Sequence, residues 1–398
     1  MDFGTLLSGL MTERGLGVRA LARHVPCDPA LISRLASGRQ QPSAQIARRL
    51  DEVLDAGGEL SDLASLAPDP GPVFDDELGA IEAARRAGAT EVGAMAVERL
   101  EQVMDTLAMA YPSSAPAKLL SRTGAYLAYA TGLLGRKATL SEHRRLLVTS
   151  GWLSLLAATS LIDLRRYDAA DAYLTTAMQM AAETGHPELS AWCLETRAWQ
   201  AVSDGDYARA ASLARSAQAL APRGSSALIQ ATAQEGRAWA RLGSPRDTCD
   251  ALTRVEALVS PLPVPDQPEH HYRYDPAKAE AYVATTLSWL GDPAAVDIAR
   301  SVLAKMESPA DPRPRRAVAA RIDLALALAG AGRPDEAGEV TLEAVTSPYL
   351  VPSNYWRADE VIAVVESSDP EGSRALREAI TARRQVLPGK NALRSPEG

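Results

Sequence analysis

The chain has few cysteines, phenylalanines and asparagines: its 398 residues include three, two and two of them, respectively. Cys27, Cys193 and Cys249 are odd in number and lie far apart in the sequence, so they predict neither a disulfide framework nor a cysteine metal site. We therefore expect a protein of the reducing cytoplasm.

Catalytic and cofactor motifs are also missing from the sequence. No G-x-S-x-G, P-loop or H-E-x-x-H pattern occurs, and no nucleophile stands at motif spacing from a base. The adjacent residues His270 and His271 point apart and have no third ligand nearby in the sequence, so we expect no metal site there. The sequence accordingly predicts neither an enzyme nor a cofactor.

We do not expect a membrane segment either. The first residues, MDFGTLLSGLMTERG, have no basic region ahead of their apolar part, unlike a secretion signal. The longest uncharged run, residues 146–162, is 17 residues long, and serine, threonine and glycine interrupt it. This composition favours a buried helix over a membrane span.

Helical periodicity and an uneven charge distribution are the main features that the sequence does have. Alanine and leucine dominate, with apolar residues at helical spacing, which predicts an all-α fold. The net charge is −8, yet residues 1–50 contain seven arginines against three acidic residues, a charge of +4 that leaves −12 for the rest. A small basic head on a large acidic body is expected when only the head contacts phosphates.

The head, residues 1–66, has the pattern of four short helices. Apolar spacing predicts helices over residues 3–14, 18–25 and 44–54. Asp28 followed by Pro29 predicts the start of another helix, because the carboxylate can accept from unpaired N–H groups and proline is tolerated at the first helical position. Ile32 and Leu35 would then face the core, leaving small residues and one arginine exposed.

The segment LARHVPCDPALISRLASGRQQPS resembles the Cro/repressor-type helix-turn-helix, the XRE family. Its Leu-Ala, Ser-Arg-Leu, Gly-Arg and Pro-Ser pairs and triplets follow the family's order, and the resemblance covers about the first 60 residues. It implies residues that face the bases, namely Pro29, Ala30, Ser33 and Arg34. It also implies residues near phosphates, namely Arg19, Arg39, Gln40 and Ser43. Of the first group only Arg34 can make a bidentate contact to guanine.

A repeat follows a proline-rich linker, residues 67–76. GDYARAASLARSAQALAP matches the second half of a tetratricopeptide unit, and related segments follow Tyr167, Tyr207, Pro245, Pro293 and Pro334 at spacings of 40, 38, 48 and 41. The insert PLPVPDQPEHHYRYDP accounts for the longest spacing and is a candidate for a loop that closes over the groove. We expect residues 77–388 to form a right-handed tetratricopeptide-like superhelix that senses an effector and dimerises, followed by a tail, residues 389–398.

In that fold a concave groove is lined by the first helix of each unit. Counting back from the repeat frame places these residues on its wall: Trp152, Thr159, Asp163, Trp192, Glu195, Trp199, Gln230, Arg237, Arg241, Lys278, Thr285 and Trp289. Tryptophans beside cations suit an amphipathic anion or a peptide with its carboxylate. The alternative is that these tryptophans pack helix against helix.

The whole chain resembles actinobacterial helix-turn-helix regulators with helical-repeat bodies and, more distantly, the peptide-pheromone receptors of Gram-positive bacteria. These resemblances imply a cytoplasmic, dimeric transcription regulator that binds an inverted-repeat operator in double-stranded DNA and responds to an effector, either a peptide or a small molecule. Asparagines that would hold a peptide backbone are limited to Asn354 and Asn391. The alternative is a protein-interaction scaffold with a vestigial head, which Ala36, at a position where the family has glutamate, favours.

Overall fold

The computed structural model describes residues 2–25, 27–66, 78–81, 91–263, 270–274, 276–308, 313–371 and 373–385. These residues are helical or lie in turns and loops, with no strand among them, so the all-α prediction is confirmed. The chain divides into two compact units, Met1–Gly79 and Ala80–Gly398. The first contains the head, residues 1–66, and we call the second the helical unit. The predicted linker and tail lie outside the described residues.

The head contains five helices: α1 (Phe3–Glu13), α2 (Val18–His24), α3 (Pro29–Ala36), α4 (Ala44–Leu54) and α5 (Glu59–Leu66). Asp28 caps α3 as predicted, since its Oδ1 accepts from the Ala30 N–H at 2.8 Å. The sequence analysis missed α5, which begins where the buried carboxylate of Asp51 accepts from the Leu60 and Ser61 N–H groups at 3.2 and 2.5 Å. This cap is nine and ten residues away in sequence, beyond the reach of a local capping pattern.

The core of the head joins α1 to α3 closely. Leu7, Ile32 and Leu35 are fully buried there, and the Ser8 hydroxyl donates to the Ala36 carbonyl at 2.9 Å. Gly4 lies so close to α3 that an added Cβ would stand 2.8 Å from the Gly38 nitrogen and 2.9 Å from the Leu35 oxygen. Only glycine therefore fits at position 4 without a shift of backbone.

The helical unit is a succession of antiparallel-packed helices. Its described helices are α6 (Ala94–Ala110), α7 (Pro116–Leu134), α8 (Leu140–Asp163), α9 (Tyr167–Thr184), α10 (Pro187–Ser203), α11 (Tyr207–Leu220), α12 (Ser226–Arg241), α13 (Pro245–Val259), α14 (Pro276–Leu290), α15 (Ala295–Met306), α16 (Pro314–Gly330), α17 (Pro334–Thr346), α18 (Tyr355–Ser368) and α19 (Ser373–Gln385), with a 3₁₀ turn at Pro352–Asn354. Helices α9, α11, α13 and α17 begin at predicted repeat anchors, whereas α15 begins two residues after Pro293.

Alternate helices of this unit form an inner layer. Each helix contacts its neighbour in the chain, and α8, α10, α12, α14, α16 and α18 also contact the next member of that series. Small residues permit this packing: a Cβ on Gly236 of α12 would lie 3.1 Å from the Ala251 Cβ of α13. A helical repeat that buries its core through neighbouring pairs explains the arrangement.

The first inner helix, α8, contains the longest uncharged run of the sequence, residues 146–162. Its length and composition would allow a membrane crossing, but 83% of its most apolar 18 residues are buried within the unit. The prediction of a buried helix over residues 146–162 is confirmed, since α8 is a core element surrounded by α6, α7, α9 and α10.

Candidate functional site

In the head, the outward face of α3 is open to solvent. All four residues that the helix-turn-helix resemblance assigns to base contact, Pro29, Ala30, Ser33 and Arg34, are exposed. The Arg34 Nε donates to the Gln40 Oε1 at 2.8 Å. That bond occupies the inner nitrogen of the guanidinium and directs its two terminal nitrogens away from Gln40, in the fork arrangement that recognises guanine.

The residues predicted to lie near phosphates are also exposed, but two of them already make hydrogen bonds within the head. Arg19, Arg39, Gln40 and Ser43 all stand at the surface. Gln40 holds Arg34, and the Ser43 hydroxyl accepts from the Ile46 N–H at 3.3 Å as the cap of α4. Arg19 and Arg39 are the two positively charged residues of this group, so they are the ones suited to phosphates.

The helical unit contains a half-open cavity of about 250 Å³, lined mainly by the inner helices. The predicted groove residues on its wall are Thr159, Asp163, Trp192, Glu195, Trp199, Gln230, Arg237, Lys278 and Thr285. They come from α8, α10, α12 and α14, the first helices of the predicted repeat pairs. The repeat frame thus brings together side chains that stand as far apart in sequence as Thr159 and Thr285.

Three predicted groove residues do not line this cavity. Trp152 packs on Tyr272, with ring centroids 5.0 Å apart. Trp289 packs on Trp356 at 5.8 Å, and Arg241 bonds Glu360 while lying 5.4 Å from the Trp289 ring centre. These side chains join α8 to the insert and α12 to α14 and α18, so the alternative of helix packing describes them.

An ion pair closes the inner layer across the cavity. Asp163, the last residue of α8, accepts from the Arg315 guanidinium of α16, and its other oxygen accepts from the Ser353 hydroxyl at 2.9 Å. The Tyr111 hydroxyl also donates to Asp163 at 2.9 Å, and its ring lies 4.2 Å from the Arg315 guanidinium carbon. Asp163 is thereby fully satisfied, and α8 is tied to the segment before α18.

A second buried ion pair lies on the same wall. Arg357 of α18 donates from one terminal nitrogen to Asp323 of α16, whose other oxygen accepts from the Thr285 hydroxyl at 2.7 Å. Burial, aided by repulsion from Arg237, lowers the pKa of Arg357 to about 9, so it remains charged at neutral pH. Its Nε is buried and has no partner among the described residues.

Arg237 is a buried cation of the wall whose hydrogen-bond partners, Gln234 and Tyr282, are both uncharged side chains. Its side chain is 8% exposed, and its guanidinium lies 4.6 Å from the Trp289 ring centre and 5.1 Å from that of Tyr282. One terminal nitrogen donates to the Gln234 Oε1 at 3.1 Å, and the Nε is buried without a partner among the described residues. Burial lowers the pKa of Arg237, and neither of its hydrogen-bond partners, the Gln234 amide and the Tyr282 hydroxyl, is a carboxylate.

Glu195 is the acid of the wall that is not ion-paired in the described structure. Its Oε1 accepts from the Gln230 amide at 3.0 Å, and the same amide bonds the Tyr282 hydroxyl. Burial raises the pKa of Glu195 to about 7, against the opposing effects of Gln230 and Arg237. Near neutral pH the protonated and ionised forms of this carboxyl are therefore both populated.

The described part of the insert, residues 270–274, lies against the inner helices. His271 lines the cavity, with its ring 4.0 Å from that of Tyr111, and Tyr272 packs on Trp152 and Trp192. The Lys278 amine donates to the carbonyls of His270 and His271 at 2.7 and 3.1 Å, so its charge fixes the insert. Burial lowers the pKa of His271 well below its usual value, which leaves the imidazole neutral.

The histidines are engaged in packing and hydrogen bonding. His270 Nε2 lies 3.2 Å from Asp105 Oδ1, and the residues that the structure describes contain no group of three metal-binding side chains. The remaining residues of the insert, 264–269, lie outside the described part of the chain.

Sequence reasoning missed several cavity residues from the second half of the unit. Arg315, Asp323 and Arg357 belong to α16 and α18, beyond the last repeat whose inner positions were counted. The frame at Pro334 would have placed Asp323 on the first helix of its pair, so a signal was present for that residue. His271 and Tyr111 lie at helix ends or in loops, where no periodicity applies.

The comparison with known families concerns the head. Residues 2–64 match the family described as a helix-turn-helix domain. No curated protein matches the chain significantly. The head is therefore a helix-turn-helix domain, as the motif order in residues 21–43 predicts.

Proposed function

We propose that the protein is a sequence-specific transcription regulator that binds double-stranded DNA through α3. The observation that carries the proposal is the exposed face of α3 with Arg34 at its centre, within a helix-turn-helix domain. In this class of domain the second helix of the motif enters the major groove and presents its first residues to base edges. DNA as a partner follows from the domain itself.

Direct readout in this proposal depends on Arg34. The bond from its Nε to Gln40 leaves two terminal nitrogens for O6 and N7 of guanine. Pro29 and Ala30 offer apolar contacts to thymine methyl groups, while Arg19 and Arg39 neutralise phosphates and add no sequence information. Gln40 acts as a positioning residue because it constrains the guanidinium.

The helical unit is proposed to sense an effector and to hold two heads together. A dimer would place two recognition helices on an inverted-repeat operator, with half-sites separated by the geometry of the dimer. An effector in the cavity would shift how the heads are held, with a coupling of about 1–3 kcal/mol. The cavity among α8 to α18 and the tetratricopeptide-like repeat pattern of the sequence support this part. A regulator of this kind would act in the cytoplasm.

Chromatin recovery of the tagged protein in its own cell, followed by footprinting of the strongest site, tests the proposal. We expect a sharp inverted repeat protected by the full-length protein, with an affinity that falls steeply as salt rises. Diffuse enrichment and no footprint would contradict the regulator function and favour a scaffold that uses the helical unit for protein partners.

A further inference from the structure

The wall of the cavity carries more positive than negative charge. Five of its residues are arginine or lysine, and three are acidic: Asp163, Glu195 and Asp323. This excess stands out in a chain whose net charge is −8. Buried cations without matching anions are costly, so their presence on one wall points to an anion that completes the set.

The hydrogen bonds and ion pairs of the wall show which of its positive charges is not matched by an acid. Asp163 is committed to Arg315, and Asp323 to Arg357. Lys278 is bonded to the carbonyls of the insert. Arg316 is engaged as well. Arg237 remains, a buried guanidinium whose hydrogen bonds go to the Gln234 amide and the Tyr282 hydroxyl.

Unused donors mark the same place. The Nε atoms of Arg237 and Arg357 and the indole nitrogen of Trp192 are buried, and none has a partner among the described residues. Both guanidiniums lie over the ring of Trp289, at 4.6 and 5.6 Å from its centre, so they belong to one cluster. Buried donors of this kind normally bond something, and a planar carboxylate matches the planar N–H groups of arginine.

The size and the remaining wall limit the anion. At about 250 Å³ the cavity is slightly below the range of about 300–1,000 Å³ that holds drug-sized ligands, a size that suits a small molecule. The ion pairs of Asp163 and Asp323 leave Arg237 to match a single negative charge, and Glu195 on the same wall opposes a dianion such as a phosphate monoester. Trp192, Trp199 and Tyr282 supply flat apolar surfaces for the body of the molecule.

Resting on the sensor role proposed for the helical unit, we propose that this cavity binds a small aromatic carboxylate. Its carboxylate lies against Arg237 and Arg357, and its ring lies against Trp192 and Trp199. Neutral isosteres bind poorly because they leave the guanidinium donors unmet.

Titration of the full-length protein with benzoate, phenylacetate and 1-naphthoate tests this inference. Tryptophan fluorescence and thermal unfolding report on the helical unit, because every tryptophan lies outside the head. We expect at least one carboxylate to change the fluorescence and raise the unfolding temperature by a few degrees, as binding to the folded state requires. Benzamide and benzylamine at the same concentrations are expected to do neither.

Two variants and a matched control assign the response to Arg237. In Arg237→Met we expect carboxylate binding at least about tenfold weaker, while the ligand-free unfolding temperature stays the same or rises, because a buried unpaired cation is replaced by an apolar side chain. Arg237→Lys keeps the charge, and with it a folded cavity, but loses the planar donors, and we again expect weaker binding. Arg254→Met removes a half-exposed arginine that pairs with Glu235 away from the cavity wall, and we expect unchanged binding.

Several outcomes would overturn the inference. They are no response to any of the three carboxylates, an equal response to benzamide, a stronger response to phenyl phosphate, or unchanged binding in both Arg237 variants. Footprinting of the same preparation without ligand tests DNA binding separately. Loss of the carboxylate response with an intact footprint refutes the ligand class alone, and a missing footprint with intact carboxylate binding refutes the regulator function alone.

Discussion

The carboxylate of Asp163 and the guanidinium of Arg315 are bonded to each other inside the helical unit, although 152 positions separate them. Asp163 is 1% exposed and Arg315 is 11% exposed, so both charges are removed from water. The pair joins the end of α8 to the start of α16 and thereby closes the inner layer around the cavity.

We expect Asp163→Asn to lower the free energy of unfolding of the helical unit by about 3–5 kcal/mol, because it leaves the buried Arg315 without its counter-charge. Urea unfolding followed by tryptophan fluorescence measures the change. Asp171→Asn is the matched control, since Asp171 pairs with Arg197 at 3.0 Å but is 63% exposed, and its loss should cost no more than about 1 kcal/mol. Equal effects of the two variants would contradict the role of the closing pair.

Arg34→Ala should weaken operator binding by about 1–3 kcal/mol and relax the preference for one base pair, because it removes the bidentate contact. Arg39→Ala should weaken binding to all sequences about equally and reduce the salt dependence by about one unit of slope. Gel-shift titrations over several salt concentrations, on the operator and on variants of each base pair, distinguish the two effects. If Arg34→Ala lowered affinity uniformly, Arg34 would be a phosphate contact.

Gly4 and Gly9 lie on the same helix, so replacing each by alanine compares the effect of a packing clash with that of reduced chain flexibility. Gly4→Ala should destabilise the head by about 1–3 kcal/mol, since its Cβ would meet the backbone of α3. Gly9→Ala should stabilise it by about 0.4–1 kcal/mol, because nothing lies within 4 Å of the new Cβ and a helical alanine restricts the unfolded chain. Hydrogen–deuterium exchange of peptides from the head measures the stability change in each variant. If both variants were stabilised or both destabilised, the close approach of α1 to α3 would not determine the effect of Gly4→Ala.

Ionisation of Glu195 should make the helical unit less stable as the pH rises. Burial raises the pKa of its carboxyl from 4.5 in the unfolded chain to about 7, so between these values the folded state holds a proton that the unfolded state has released. The contribution is complete below pH 4.5 and is lost as the pH passes through about 7, a change of about 3 kcal/mol.

Glu195→Gln keeps an oxygen for the Gln230 amide and cannot ionise. Unfolding free energies measured between pH 4.5 and 8 should therefore fall less in Glu195→Gln than in the wild type. A parallel pH dependence in the two proteins would show that Glu195 titrates with an ordinary pKa.

Helices whose starts depend on neighbouring residues are predictable from the sequence alone. Asp28 and Ser43 cap α3 and α4 with their own side chains, and proline or tyrosine marks the start of α9, α11, α13 and α17. The 3.6-residue period assigned inner positions on α8, α10, α12 and α14 because a helix fixes side-chain direction over its whole length.

The contacts that line the cavity, and the charges that stay unpaired within it, depend on the tertiary structure. Helix α5 is capped by Asp51 from another helix, and Arg315, Arg357 and His271 reach the cavity from helices and a loop far along the chain. Sequence spacing carries no information about such contacts, since they depend on the curvature summed over many helix pairs. The ion pairs depend on those contacts, and so do the surroundings of Arg237, which bonds the Gln234 amide and the Tyr282 hydroxyl and lies over two aromatic rings.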